Sequence, residues 1–204
     1  MDWTNLATDA VIAKTVTALK ARGFVVFVVN NRDEAKKKVI ELMPKGAEVM
    51  RANSITLDQT GITEYTRSLN CVSLKDELVA EKESNNYIRD DAWKRALAPQ
   101  YGIGSVQAVT EDGQVVIASS SGIQQAFYIY GAEKVIWVVG IQKIVKTLDQ
   151  AIQRIFDYVL PLVVDEARNF AGTGEIDVSK LLIVRKEPIP KRTTLIFVKE
   201  NVGL

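Results

Sequence analysis

Residues 105–143, SVQAVTEDGQVVIASSSGIQQAFYIYGAEKVIWVVGIQK, constrain the fold more than any other stretch of the chain. Three short apolar runs, 105–109, 115–118 and 135–139, have the length and the β-branched content of strands. The first two are joined by Glu111-Asp112-Gly113, and an Asp-Gly step between such runs is a hairpin signal, because Asp tolerates positive φ and Gly has no Cβ to clash. Those two runs are expected to pair antiparallel. Directly after the second run comes Ser119-Ser120-Ser121-Gly122, and then Ile123, Ala126, Phe127 and Tyr130 recur at helical spacing. A strand end that opens a helix through serines puts hydroxyl and N–H groups where an anion or a carbonyl oxygen can be held. On that ground Ser119, Ser120, Ser121, Gly122 and Gln124 are candidate ligand-binding residues.

The amino-terminal half has the order of a layered α/β domain. Leu6, Ile12, Val16 and Leu19 mark an amphipathic helix that ends at Arg22-Gly23, and residues 24–29 form a continuous β-branched and aromatic run read as a buried parallel strand. Asn31 can cap the next helix, with Glu34 three residues on and Ala35, Val39, Ile40 and Met43 as its apolar side. Residues 47–50 make a second strand, so helix, strand, helix, strand alternate as a mostly parallel sheet flanked by helices requires. The loop after it holds Arg51, Asn53, Ser54 and Thr56. It either caps a helix through Ser54 or binds an anion through N–H groups, with Arg51 adding fixed charge.

What the chain lacks excludes more than its contents reveal. With no histidine among 204 residues, Ser-His-Asp and Cys-His catalysis and most zinc sites are ruled out. The single cysteine, Cys71, excludes an internal disulfide and an iron–sulfur ligand set, and its apolar neighbours Leu69, Val72 and Leu74 mark it as buried and inert. A formal net charge of +1 draws the chain to neither nucleic acid nor an anionic membrane, and no apolar run reaches membrane-span length. No nucleotide fingerprint appears, so no cofactor is expected. Acidic Asp2 and Asp9 in a start without signal-peptide order point to the cytoplasm.

Residues 62–101 read as a helical accessory segment to a single α/β domain spanning 1–204. Tyr65 and Leu69 continue a short helix, Ser73-x-x-Asp76 opens another, and Tyr87 and Trp93 stand in the polar run beyond it as candidates for a lid or a subunit contact. After the central stretch, Thr147 and Gln150 make a capping box for a long helix that Pro161 ends or kinks, followed by a connector over 166–175. Two strands, 181–185 and 194–199, flank Pro188-Ile189-Pro190-Lys191-Arg192 and are expected to form an antiparallel carboxyl-terminal hairpin.

Several of these segments together resemble the LUD (lactate utilisation) domain family. They are Ser54-Ile55-Thr56-Leu57-Asp58-Gln59-Thr60-Gly61, the Thr110-Glu111-Asp112-Gly113 turn, the block Lys134-Val135-Ile136-Trp137-Val138-Val139-Gly140 with Gln142-Lys143-Ile144-Val145, and the carboxyl-terminal 195–203. The resemblance implies a fold like that of CoA transferases and sugar-phosphate isomerases. It also implies a place in bacterial lactate or related organic-acid metabolism, as an accessory subunit that binds a small anionic organic molecule beside iron–sulfur or oxidoreductase subunits. By fold analogy an alternative is an enzyme acting on a CoA thioester or sugar phosphate, with Glu111 or Asp112 as the catalytic carboxylate and Lys143 as electrostatic partner. Against those roles stand a plain hairpin turn for Asp112 and an exposed loop lysine for Lys143. A third class is a structural or regulatory homo-oligomer with Trp137 or Trp93 at an interface.

Overall fold

The computed structural model of the chain describes residues 1–68, 71–81, 91–171 and 176–204, with 77, 79–81, 91–93 and 166–171 described by backbone alone. Tyr87 and the side chain of Trp93 lie outside the described residues. Helix α1 (Asp9–Ala21) starts at Thr8, whose hydroxyl accepts from the Val11 N–H, and the chain turns out of it at Gly23, where φ of +90° requires a residue without Cβ. Strand β1 (Val25–Val29) follows, then α2 (Arg32–Leu42). Asn31 caps α2 as expected, accepting from the Glu34 N–H at 2.9 Å while the Glu34 carboxylate accepts from the Asn30 N–H at 2.8 Å.

Strand β2 (Ala47–Arg51) leads into α3 (Ile55–Gln59) and α4 (Ile62–Arg67). The stretch read as a helical accessory then yields a strand, β3 (Cys71–Ser73), before α5 (Leu74–Glu81) and α6 (Asp91–Leu97). Next come β4 (Tyr101–Gly104), the hairpin β5 (Ala108–Thr110) and β6 (Val115–Ser119), and α7 (Ile123–Ala126), which widens into a π-turn over Phe127–Gly131. Strand β7 (Lys134–Gly140), a 3₁₀ turn Ile141–Lys143 and β8 (Ile144–Val145) complete the central stretch. Helix α8 (Leu148–Arg154) is capped by Thr147, which accepts from the Gln150 N–H at 3.2 Å. It runs through a π-turn, Ile155–Val159, into α9 (Leu160–Ala171), and β9 (Lys180–Val184) and β10 (Thr193–Val198) finish the chain.

Six strands in the order β1-β10-β7-β4-β2-β3, all parallel, form the main sheet, and a smaller sheet has the order β8-β5-β6-β9. Strand β7 is buried from Val135 to Gly140 and lies at the centre, as a continuous apolar run in a parallel sheet should. Strand β1 is parallel but forms an edge, which leaves Val28 40% exposed and corrects the expectation that this run is buried throughout. Trp137 packs 1% exposed in the core between Phe24 and Tyr128, so it is unavailable for a role at an interface. Val109, Val115 and Ile117 of the small sheet share a hydrophobic cluster with Val135, Leu195 and Phe197 of the main one.

Towards the carboxyl terminus, expectations change. Strands β9 and β10 do not pair with each other: β9 runs antiparallel to β6, with Val115 opposite Val184, while β10 enters the main sheet parallel to β1 and β7. All six residues of β10 are buried, which a central parallel strand needs, whereas β9 keeps Leu181 and Ile183 partly in solvent. The proline turn therefore crosses between sheets. It is anchored by the buried pair Arg192–Glu187 at 3.2 Å, with the Thr193 hydroxyl donating to the same carboxylate at 2.6 Å. The connector expected from residue 166 is helical to Ala171, and residues 172–175 lie outside the described residues. Pro161 does not end this helix; the wider π-turn just before it accommodates a residue with no N–H.

Candidate functional site

The carboxyl ends of β2, β4 and β7, at Arg51, Gly104 and Gly140, stand side by side, and the loops that leave them enclose a cavity of about 520 Å³. Arg51, Asn53, Ser54 and Thr56 line it from the first loop, Ser105 and Gln107 from the second and Lys143 from the third. Val159 and Val163 form an apolar wall. A second chamber of about 310 Å³ shares Arg51, Asn53, Lys75 and Gln124 with the first and adds Ser119, Ser120 and Ser121. The two polar loops picked out in the sequence thus line adjoining chambers, the first leaving the carboxyl end of β2 in the main sheet, where open α/β sheets hold ligands, and the second leaving β6 of the smaller sheet.

Lys143 is the unusual group. Of the two readings the sequence leaves for it, an electrostatic partner at the site or an exposed loop lysine, the second does not hold: it is 3% exposed. Its Nζ donates to the hydroxyls of Thr56 at 3.0 Å and Ser105 at 3.2 Å, and among the described residues it pairs with no carboxylate. Burial, and then the nearby Arg154 guanidinium, bring its pKa down to about 7. Arg154 is itself fully buried. Its Nη1 donates to the Gln107 carbonyl at 2.6 Å, while Nε and Nη2 have no hydrogen-bond partner among the described residues. The residues after β10 close over Lys143: Gln142 Nε2 donates to the carbonyls of Val202 at 2.9 Å and Gly203 at 3.2 Å. Gly203, at φ +71°, packs so tightly that a Cβ there would lie 2.0 Å from the Thr56 hydroxyl and 3.0 Å from Lys143 Nζ.

The facing wall carries more positive charge. Arg51, 3% exposed at the end of β2, forms two bonds to the Asp76 carboxylate, at 2.7 and 3.0 Å, and a third to the Ser73 hydroxyl at 2.9 Å. The Arg51 guanidinium, followed by the Ser73 hydroxyl, holds the Asp76 carboxyl at about 2. Lys75 donates to Asn53 Oδ1, and burial together with Arg51 lowers its pKa to about 8. Arg67 reaches Asp76 at 3.4 Å.

The serine loop is less free than its sequence implies. Ser119 Oγ accepts from the Gly122 N–H at 2.8 Å and donates to Gln124 Oε1 at 2.9 Å, and Ser121 Oγ accepts from the Ile123 N–H at 3.3 Å. Ser54 in turn caps α3, accepting from the Leu57 N–H at 3.4 Å. The two helices that these loops open have four and five residues. Any anion affinity therefore comes from side-chain cations rather than from free N–H groups at a helix start.

Glu111 and Asp112 line neither chamber. Glu111 pairs with Lys14 at 2.7 Å and Asp112 with Arg22 at 3.1 Å, so the hairpin turn is fastened to α1. The Thr110 hydroxyl lowers the Asp112 carboxyl pKa, and Gly113, at φ +87°, lets the turn sit against the Ala18 and Leu19 backbone, where a Cβ would come within 2.9 Å. Ser105, Lys75 and Arg154 went unnoticed in the sequence. Ser105 carried a signal, as the first residue after a strand end, whereas Lys75 and Arg154 are indistinguishable from solvated helix charges.

Among the described residues no three His, Cys, Asp or Glu side chains gather as metal ligands, and no helix is long and apolar enough to cross a membrane. A comparison with curated proteins finds no match. Among solved structures, the crystal structure of a DUF162 family protein from Deinococcus radiodurans is similar at a TM-score of 0.56 and 11% identity, covering 95% of this chain and 99% of that one. At that identity the likeness speaks for the fold alone. The family model for the LUD domain matches residues 12–198, which include every strand and all three loops of the cavity, and the chain belongs to the LUD domain family.

Proposed function

We propose that the cavity binds a small organic anion bearing a carboxylate or phosphate, and that the protein serves as an accessory subunit in bacterial lactate or related organic-acid metabolism, alongside iron–sulfur or oxidoreductase subunits. The observation that carries the binding is the charge of the lining: among the described side chains Arg51, Arg67 and Lys75 face Asp58 and Asp76, a surplus of one positive charge before Lys143 is counted. Asp76 is already taken by Arg51, and Asp58 accepts from the Thr63 hydroxyl at 2.6 Å. An incoming anion meets the leftover charge of Lys75 beside the hydroxyls of Thr56 and Ser105.

Turnover of a CoA thioester or sugar phosphate is a second reading with one observation in its favour, a buried lysine without a counter-charge, as catalytic amines often are. It has no support from Glu111 or Asp112, which are engaged with α1.

Thermal-shift and calorimetric titrations with lactate, pyruvate, sugar phosphates and CoA esters test the binding. One class is expected to raise the melting temperature, since a ligand at about 100 times Kd adds about 2.7 kcal/mol. Affinity for it should weaken as pH rises through about 8, where Lys75 loses its proton, and Lys75→Gln should lower it by about tenfold or more, the loss of one charge-assisted bond. If no anion in the panel shifts the transition, or the Lys75→Gln protein binds as the parent does, the proposal fails.

A further inference from the structure

We propose that the Lys143 amine forms a reversible imine with a ketone or aldehyde carbonyl carried by the anion in the cavity. This rests on the anion reading above and adds to it the reactive class of the ligand.

The donor count around Nζ argues for the free amine. A neutral amine has two N–H groups and one lone pair, and Lys143 has two acceptors, the Thr56 hydroxyl at 3.0 Å and the Ser105 hydroxyl at 3.2 Å. An ammonium would hold a buried charge that no carboxylate among the described residues offsets, next to the guanidinium of Arg154. The same surroundings bring the amine to a pKa of about 7, which leaves a large neutral fraction at physiological pH. A buried neutral amine is a nucleophile with its lone pair available. The two hydroxyls also line the cavity and stand 3.3 Å apart, so they can carry protons to and from the reacting atoms.

The step balances without a further reactant. The Nζ lone pair adds to the carbonyl carbon as the C=O π bond opens, the oxygen takes up a proton, and the nitrogen gives one up through Thr56 or Ser105 to leave a carbinolamine. A second proton transfer lets that hydroxyl depart as water while the C=N bond forms, so amine and carbonyl give imine and water. A thioester would instead acylate Nζ to a stable amide and block the site. An oxo acid or a phosphorylated aldehyde leaves the amine recoverable, and its anionic group matches the Lys75 wall.

The full-length protein, incubated at saturating pyruvate or glyceraldehyde 3-phosphate with sodium cyanoborohydride, is analysed by intact mass and peptide mapping. The expected result is one secondary amine per chain, located at Lys143. Its rate of appearance should climb as pH is raised from about 6 to 8, through the Lys143 pKa, and fall when lactate, an anion with no carbonyl, competes. The Lys143→Met protein, checked for folding by near-ultraviolet circular dichroism, should give no such adduct. The pH profile of the parent provides the same test if that variant does not fold. Adducts spread over surface lysines, or none at Lys143 although either probe raises the melting temperature, overturn the imine and leave the anion site standing. Absence of binding by every anion overturns both.

Discussion

Burying Lys143 without a carboxylate lowers stability, and the pH dependence of that penalty can be worked out. In the unfolded chain the amine titrates near 10.5 and in the folded protein near 7, so between those values the unfolded chain holds a proton that the folded one has released. Stability therefore rises with pH across that window, and below about 7 the whole penalty is present. Lys143→Met, of similar length and no charge, is expected to stabilise at pH 6. Its ceiling is about 5 kcal/mol, reduced by about 1 kcal/mol for each hydrogen bond to Thr56 and Ser105 that a methionine cannot make. The gain should vanish near pH 10.5, and an equal gain in urea melts at both ends of the range would exclude this account. Glu111 and Asp112 make the opposite case. Their ion pairs with Lys14 and Arg22 are at the surface, so Glu111→Gln and Asp112→Asn should each change stability by less than about 1 kcal/mol and leave ligand affinity as it was in calorimetric titration. A large drop in affinity in either would bring the hairpin back as the site. The two reversals have one origin. The fate of Lys143 is decided by residues 202–204, held over it by Gln142, and that of Asp112 by Arg22, 90 residues away; no local pattern records either interaction.

Elements read well from the sequence where their signal was local. The caps at Asn31 and Thr147, the Asp112-Gly113 turn and the unbroken apolar run of β7 are each determined by neighbours a few residues away, and each is found as expected. Strand β3 was missed because three residues are too few to show a period, and β9 and β10 were mispaired because a choice of partner strand depends on which sheet has an open edge. The end of β2 and the start of α5 are joined by Arg51 and Asp76, and this joint positions Lys75 between the two chambers. Asp76→Asn removes the charge opposite a buried guanidinium. Because the carboxylate side is 36% exposed, the expected cost is about 2 kcal/mol, below the range for a fully buried pair. The Asp76 carboxyl titrates low, so its contribution is complete above about 3.8 and lost as pH falls through about 2. Acid titration of the parent and the variant by circular dichroism should show the two converging at the acid end; a constant difference down to that pH would remove the ion pair as its cause.

At the scale of the whole molecule, the cavity belongs to no single segment. Thr56 and Lys143 are 87 residues apart, Gln142 and Val202 are 60 apart, and the lining adds Ile117 of the small sheet and Val163 of α9. Ligand in such a place bridges both sheets and the closing residues after β10, so its binding energy opposes any local opening that separates them. Hydrogen exchange of the protein with and without a saturating anion should then show slower exchange in three loops, 51–57, 104–107 and 141–143, and in residues 202–204. The hairpin residues 110–114 and the first turns of α1 lie outside the lining and should exchange at an unchanged rate, because the ion pairs that hold them, Lys14–Glu111 and Arg22–Asp112, exist without ligand. Protection centred on 110–114 would relocate the site to the carboxylates of the turn. Protection confined to 51–57 would mean that the ligand touches the Arg51 wall alone, and that Lys143 is a buried structural amine remote from the ligand.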